Sequence, residues 1–320
     1  MHLCRVCGNE KNNPEFQMQE MMFGLRENFN YFQCANCSCL QIEEVPTDIS
    51  KYYPPNYYSF NRIRRDSFLK NRLRRIRNQF AVFDKGIVGK VLFRFRPPPD
   101  TSLRSLAKLA MNRDMRILDV GCGTGLLLCW LKELGFNNLM GVDPLIPSDI
   151  HYEDGLRVLK KELVSIGGKW DLVMFHHSFE HILDQLGTLQ AAKTILKENG
   201  VCLIRVPTVS SFAWRHYGVN WTQLDAPRHF YIHSVKSMSL LAKQAGFYLE
   251  KIVYDSEGFQ FWGSELHSKG ISLLDQHTGK TNPKAAIFSA RELREYSAKA
   301  EKLNAADDGD QAAFYLRKLV

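Results

Sequence analysis

Apolar residues run along this chain in two rhythms. Short continuous runs, of the kind that form strands buried on both faces of a parallel sheet, occupy residues 117–120, 139–142, 170–175 and 201–206. A weaker run at 156–159 reads as a truncated strand, and 247–254 and 260–265 as two terminal strands. Helical spacing appears at Leu69, Leu73, Ile76 and Phe80, and across 102–112, 126–134, 183–196 and 234–246. Strands alternating with helices predict an α/β fold with a mostly parallel sheet. From Ser289 onward the chain reads as a packing or dimer helix, then a polar turn, then a final apolar stretch.

The strand at 117–120 runs straight into Gly121-Cys122-Gly123-Thr124-Gly125 and then a helix. Strand, glycine turn and helix in that order build a nucleotide-type site, with open backbone facing the ligand and free N–H groups at the helix start. Asp119 stands before the first glycine, and no phosphate-cradling lysine follows. The stretch Leu118-Asp-Val-Gly-Cys-Gly-Thr-Gly125 resembles motif I of the class I S-adenosylmethionine-dependent methyltransferases. That resemblance implies a Rossmann-like seven-stranded methyltransferase sheet, with Asp119, Gly121, Cys122, Gly123 and Gly125 around the cofactor. Asp143, 24 positions beyond Asp119, ends the second strand, where an acid accepts bonds from ribose hydroxyls. It also falls where the family keeps its ribose acid, with Pro144 beside it. The alternatives are a dinucleotide turn for the glycines and a helix-capping role for Asp143. The third strand is short, and Glu162-Leu163 resembles the family's adenine-contacting pair.

Composition adds a second motif. Eight cysteines include Cys4-x-x-Cys7 and Cys34-x-x-Cys37, two knuckles that together offer four soft ligands to tetrahedral Zn²⁺. Phe16, Phe23, Phe29, Tyr31 and Phe32 suffice to pack a small β module around a structural zinc. Neither pair opens a helix after a strand, which argues against a redox pair. No membrane-length apolar stretch and no apolar signal region occur, so a cytoplasmic enzyme is expected. The 42 Lys and Arg outnumber the 34 Asp and Glu, a formal charge of +8 that suits an anionic partner. Much of the excess lies in a helix that follows a Tyr- and Pro-rich linker containing Tyr52, Tyr53 and Tyr58. Its cationic face could cover the core, grip an anionic substrate or RNA, or meet anionic lipid.

Candidate chemistry gathers after the strand at 170–175, in His176-His177-Ser178-Phe179-Glu180-His181. His177-x-x-Glu180-His181 also matches an inverted zinc-protease signature, but that motif belongs within a helix and here follows a buried strand. Many class I methyltransferases carry a similar Glu-His that lines the acceptor pocket. On that resemblance His181 is a candidate general base oriented by Glu180, His177 faces the acceptor and His176 the cofactor. A later insertion holds Trp221-x-x-Leu-Asp-x-Pro-Arg228-His229, similar to bacterial methyltransferases associated with sugar and glycan modification. His229 is the second candidate base; Trp221, Arg228 and Tyr58 are candidate acceptor contacts.

The expected organisation is a zinc-ribbon module at 1–45, an aromatic and basic linker with helices at 46–110, the catalytic domain at 111–266 with an acceptor lid at about 207–233, and a helical extension at 267–320. The expected activity is methyl transfer from S-adenosylmethionine to a small-molecule acceptor, a sugar or nucleotide sugar, with a homodimer as one assembly. An RNA methyltransferase and a non-catalytic cofactor-binding module are the rivals.

Overall fold

The computed structural model describes residues 2–54, 59, 67–98, 102–274 and 287–319. In chain order the strands are β1 (Glu15–Gln19), β2 (Asn28–Gln33), β3 (Leu40–Ile42), β4 (Arg116–Val120), β5 (Asn138–Val142) and β6 (Ile150–His151). They continue as β7 (Arg157–Leu159), β8 (Trp170–His176), β9 (Leu196–Pro207), β10 (Tyr231–Ile232), β11 (Phe247–Tyr254) and β12 (Gln311–Lys318). The helices are α1 (Phe68–Phe83), α2 (Ile87–Phe95), α3 (Ser102–Leu106), α4 (Leu126–Glu133) and α5 (Gln185–Ile195). Then follow α6 (Phe212–Tyr217), α7 (Val235–Gln244), α8 (Phe259–Ser268) and α9 (Ala290–Ala305).

Two compact units are interleaved along the chain, where the sequence reading divides it consecutively. One holds Met1–Asn56, Glu180–Leu186 and Val206–Phe314; the other holds Tyr57–Phe179, Gly187–Arg205 and Tyr315–Val320.

The second unit is the α/β body. Its strands belong to an eight-stranded sheet of order β11-β12-β9-β8-β4-β5-β7-β6. β4 pairs in parallel with both β5 and β8, β8 pairs in parallel with β9, and β7 pairs in parallel with β5. Ile117, Leu118, Val173, Met174 and Phe175 are all buried, as continuous apolar runs require of strands covered on two faces. α4 buries Leu127, Leu128, Trp130 and Leu131 against this body. β7 confirms the short third strand.

The first unit carries an antiparallel sheet of order β1-β2-β3-β10. Phe16 lies opposite Tyr31, Tyr31 opposite Ile42, and Gln41 opposite Tyr231. The cysteine-rich start of the chain and the distant insertion after β9 therefore share one sheet.

Two expectations about elements fail. Residues 260–265 form part of helix α8, whose buried Gln260, Phe261, Gly263, Ser264 and His267 recur at helical spacing. The last strand is β12, where the expected helix-like ending turns out to be extended. Ala312, Ala313, Phe314, Tyr315 and Leu316 are buried in succession, as residues of a strand covered on both faces are. α3 is also shorter than the 102–112 expected.

Candidate functional site

β4 delivers Asp119, buried, and then the glycine turn. Gly121 and Gly123 adopt φ of 71° and 55°, a left-handed conformation that disfavours side chains. A Cβ on Gly121 would stand 2.3 Å from Ser178 Cβ, and one on Gly123 2.5 Å from the Ser59 carbonyl oxygen. The turn is thus open to close approach by neighbouring backbone as well as by a ligand. Gly125 is the N-cap of α4, in the left-handed region.

Asp143 follows β5 directly and ties the turn down. Its Oδ2 accepts the Gly123 N–H at 2.8 Å, and its Oδ1 accepts the Leu145 N–H at 2.8 Å. Pro144 between them is exposed. The Cys122 Sγ stands 2.5 Å from where a Gly141 Cβ would be and donates to the Gly123 carbonyl at 3.6 Å. Burial pushes that thiol well above its ordinary value. Two acids at adjacent parallel strand ends, flanking open glycine backbone, fit a ligand that carries an ammonium and ribose hydroxyls. Glu162 is exposed at the N-cap of a short 3₁₀ turn, and Leu163 in that turn is buried.

β8 ends in His176. His177 takes φ of 49°, with its N–H donated to the Arg205 carbonyl at 2.9 Å. Ser178 then donates Oγ to the Val120 carbonyl at 2.6 Å, which fastens this loop onto the glycine turn. The signature His177-x-x-Glu180-His181 does not lie within an α-helix: only a 3₁₀ turn, Phe179–His181, is present.

The first unit gathers the remaining candidates. His181 Nδ1 lies 2.8 Å from the Arg228 carbonyl and His229 Nδ1 2.8 Å from the Gln223 carbonyl. A carbonyl only accepts, so each ring carries its proton on Nδ1 and presents Nε2 as its basic nitrogen. The rings meet edge to face with centroids 4.8 Å apart. His229 Nε2 stands 3.8 Å from Glu180 Oε1 and 3.7 Å from Asp225 Oδ2. Burial, with the neighbouring His181 adding to it, lowers His229 to about 4. His181 is the more accessible ring, and the Tyr53 hydroxyl lies 3.2 Å from its Nδ1.

Arg228 is fully buried and engaged inside the protein. It donates to both Asp225 oxygens at 2.9 and 2.5 Å, to Glu20 Oε1 at 3.1 Å and to the Tyr52 carbonyl at 3.3 Å. Burial would raise the Asp225 carboxyl, but the Arg228 guanidinium outweighs it and holds the group well below the usual carboxylate range. Glu20 in turn accepts the N–H groups of Met22, Phe23 and Leu25. In this structure Arg228 organises the floor under the two imidazoles. Trp221 is likewise core, fully buried with Nε1 donating to Asp310 at 3.0 Å. Tyr58 lies outside the described residues.

Sequence reasoning gave no role to Asp225 or Glu20 and named Tyr53 only as part of the aromatic linker. Asp225 sits in the quoted insertion motif, four residues before His229, so its signal was present. Glu20 and Tyr53 come from remote segments with no local cue.

The four cysteines converge as their spacing predicts. All four Sγ atoms lie within 4.8 Å of one another, with Cys4–Cys37 at 3.6 Å and Cys7–Cys34 at 3.4 Å. Such separations suit sulfurs sharing one tetrahedral Zn²⁺, whose Zn–S bonds of about 2.3 Å place ligands a little under 4 Å apart. The two knuckles repeat one geometry. The Gly8 N–H donates to the Cys4 carbonyl as the Ser38 N–H does to Cys34, and Gly8 and Ser38 both have positive φ. Gln41 Nε2 donates to Cys4 Sγ at 3.0 Å and the Cys37 N–H to Cys34 Sγ at 3.4 Å, bonds that favour thiolates. The hydrogen bond shared with Cys37 pulls the Cys4 thiol well below its ordinary value.

A family profile described as a methyltransferase domain matches residues 93–252, half of the chain. Among curated proteins, the ubiquinone biosynthesis O-methyltransferase of Azorhizobium caulinodans is 32% identical over 155 residues, 45% of this chain and 58% of that protein. The protein of the same name from Colwellia psychrerythraea is 33% identical over 98 residues, 28% of this chain and 40% of its own length. This chain therefore spans little more than half the length of the first of these relatives and less of the second. Among solved structures, a cyclopropane synthase from Mycobacterium tuberculosis aligns with a TM-score of 0.43 at 17% identity, over 76% of this chain and 98% of that one.

Proposed function

Because this chain belongs to the class I S-adenosylmethionine-dependent methyltransferase family, we propose that it moves a methyl group from S-adenosylmethionine to a hydroxyl of a small molecule, a sugar or nucleotide sugar. The observation that carries the reading is a glycine turn bracketed by Asp119 and Asp143 in a chain that also holds two adjoining imidazoles beside a buried carboxylate. Asp119, Asp143 and the backbone of residues 121–125 would hold the cofactor. When bound, it supplies a sulfonium methyl group open to attack by an oxygen lone pair.

The chain's own residues supply proton handling. His181 is the base we assign, because its ring is the less buried and its Nδ1–H is held by the Arg228 carbonyl, leaving Nε2 to take the hydroxyl proton. His229 and Glu180 lie behind it. Glu180 and Asp225 place negative charge near the imidazole pair, which favours the imidazolium that forms. Arg228, paired with both Asp225 and Glu20, holds those carboxylates in place, and its single positive charge leaves the trio net negative. Cys4, Cys7, Cys34 and Cys37 we assign to one structural Zn²⁺.

The RNA reading has less support. α1 spends Arg74 on Glu133 and Arg77 on Asn78 and on the carbonyls of Arg96 and Pro97. The sugar assignment rests on the insertion motif, whereas the relatives' names point to a ubiquinone precursor, so an acceptor screen needs both arms.

The test is calorimetric titration of zinc-replete protein with S-adenosylmethionine, followed by methyl transfer to each acceptor class. One saturable site and turnover that falls about 10²- to 10⁴-fold in His181→Ala, with cofactor affinity unchanged, are expected. A folded protein that binds neither S-adenosylmethionine nor its demethylated product would overturn the reading.

A further inference from the structure

α1 and α2 form a helical hairpin that the transfer reaction leaves unused. One side is fixed within its unit. Ala81 and Val82 are buried, Phe83 stacks on Phe136 at 5.9 Å, and Arg74 pairs with Glu133 at 2.7 Å. The two helices touch closely at Gly89, where a Cβ would stand 2.7 Å from the Ile76 carbonyl oxygen, and Phe80 meets Phe93 at 5.6 Å.

The other side is apolar and exposed. Phe68 (78%), Leu69, Leu73, Ile87 (84%), Val88, Val91 and Phe95 (77%) all face solvent. They make up seven of the sixteen large apolar residues exposed among the described residues, within 28 consecutive positions. On α2, Ile87, Val88, Val91 and Phe95 fall on one helical stripe, and Lys90 and Arg94 flank it. Such a face is large for a protein that meets only water.

Charge selects the occupant. Residues 67–98 hold nine Lys and Arg against one acid, Asp84, a local charge of +8. The whole chain also totals +8, so the remaining residues balance to zero and the entire excess sits on this hairpin. A second copy of the chain would bring the same cations and repel. A nucleic acid would accept the charge but offer nothing to seven exposed apolar side chains. An anionic bilayer matches both, since acyl chains take the apolar stripe and phosphate headgroups take the flanking cations. No described helix is long and apolar enough to cross a membrane, so the hairpin would lie along the surface.

We propose that the α1–α2 hairpin docks this protein onto the surface of an anionic phospholipid membrane, with Phe68, Leu69, Leu73, Ile87, Val88, Val91 and Phe95 inserted and Arg72, Arg75, Lys90 and Arg94 at headgroup level. The proposal does not depend on the transfer reading. A protein that failed to bind S-adenosylmethionine could still bind membranes, and the reverse.

Co-flotation of the full, zinc-replete chain with phosphatidylcholine vesicles, with and without phosphatidylglycerol, tests it. Flotation only with the anionic vesicles, weakening as salt rises, is expected. The double variant Ile87→Ser, Phe95→Ser, at two exposed sites, should lower binding about tenfold or more with an unchanged circular dichroism spectrum. If that variant does not fold, Lys90→Glu with Arg94→Glu should produce a comparable loss. Absence of flotation with anionic vesicles would overturn the proposal. So would flotation indifferent to the substitutions in folded protein, or a wild-type dimer that the apolar variant converts to monomer.

Discussion

The Asp143 carboxylate, expected beside the ribose hydroxyls, holds two backbone N–H groups in the structure, those of Gly123 and Leu145, each at 2.8 Å. Asp143→Ala removes both acceptors. A hydrogen bond to a charged group contributes about 1.5–3 kcal/mol net, and a buried donor left without a partner costs a similar amount. The Gly123 bond is buried and bears the full loss, whereas the exposed Leu145 can turn its N–H to water. The expected destabilisation is therefore about 3–5 kcal/mol for Ala. Asn keeps one acceptor oxygen but turns an amide donor toward the second N–H, so about half that loss is expected. Urea unfolding of the zinc-replete protein measures both, and hydrogen exchange at the Gly123 amide localises the effect. Loss of cofactor affinity in Asp143→Ala alone would conflate a collapsed turn with a missing ribose contact, which makes Asn the informative variant. If Asp143→Ala unfolds within about 0.5 kcal/mol of wild type, the staple does not stabilise the turn and the reasoning fails.

Other consequences are as direct. Cys34→Ser should abolish stoichiometric zinc and, because Ser234 Oγ donates to the Cys37 carbonyl and Gln244 Nε2 to the Val6 carbonyl, should also speed amide exchange in α7; intact zinc content in that variant would count against a four-thiolate site. Trp221→Ala should cost about 3–5 kcal/mol in urea unfolding and leave cofactor titration unchanged, as befits a core residue. Burial lowers His267 from the ordinary 6.5 to about 4. Between those pH values the unfolded chain takes a proton that the folded chain refuses, so stability is lost as pH falls from 6.5 and the loss levels off below 4, about 3 kcal/mol in all. Comparing unfolding of wild type and His267→Gln across that window removes the zinc contribution common to both; parallel curves would show that His267 is not buried as a neutral ring.

What the amino-acid order determined by itself was whatever neighbouring residues could specify. Continuous apolar runs made β4, β5, β8 and β9 recognisable because a doubly covered strand needs no polar alternation. Gly121 and Gly123 announced their turn because few other residues adopt its backbone, and paired cysteines announced a four-thiol cluster because each knuckle is a local structure. Long-range partners were beyond reach. That 260–265 belongs to a helix and 311–318 to a strand depends on what each packs against: the continuous apolar run at 312–316 suits a doubly covered strand or a buried helix alike, and local pattern does not choose between them. Arg228 looked like a substrate contact from its charge, and only the folding together of Glu20, Tyr52 and Asp225 converted it into a buried scaffold. The basic helix was visible in sequence, but whether Phe68, Ile87 and Phe95 face core or solvent was decided by which side of the hairpin packs on Phe136. Periodicity and spacing fix what a segment can be; the contacts that choose its faces and partners come from residues tens or hundreds of positions away, and those exist only in the folded chain.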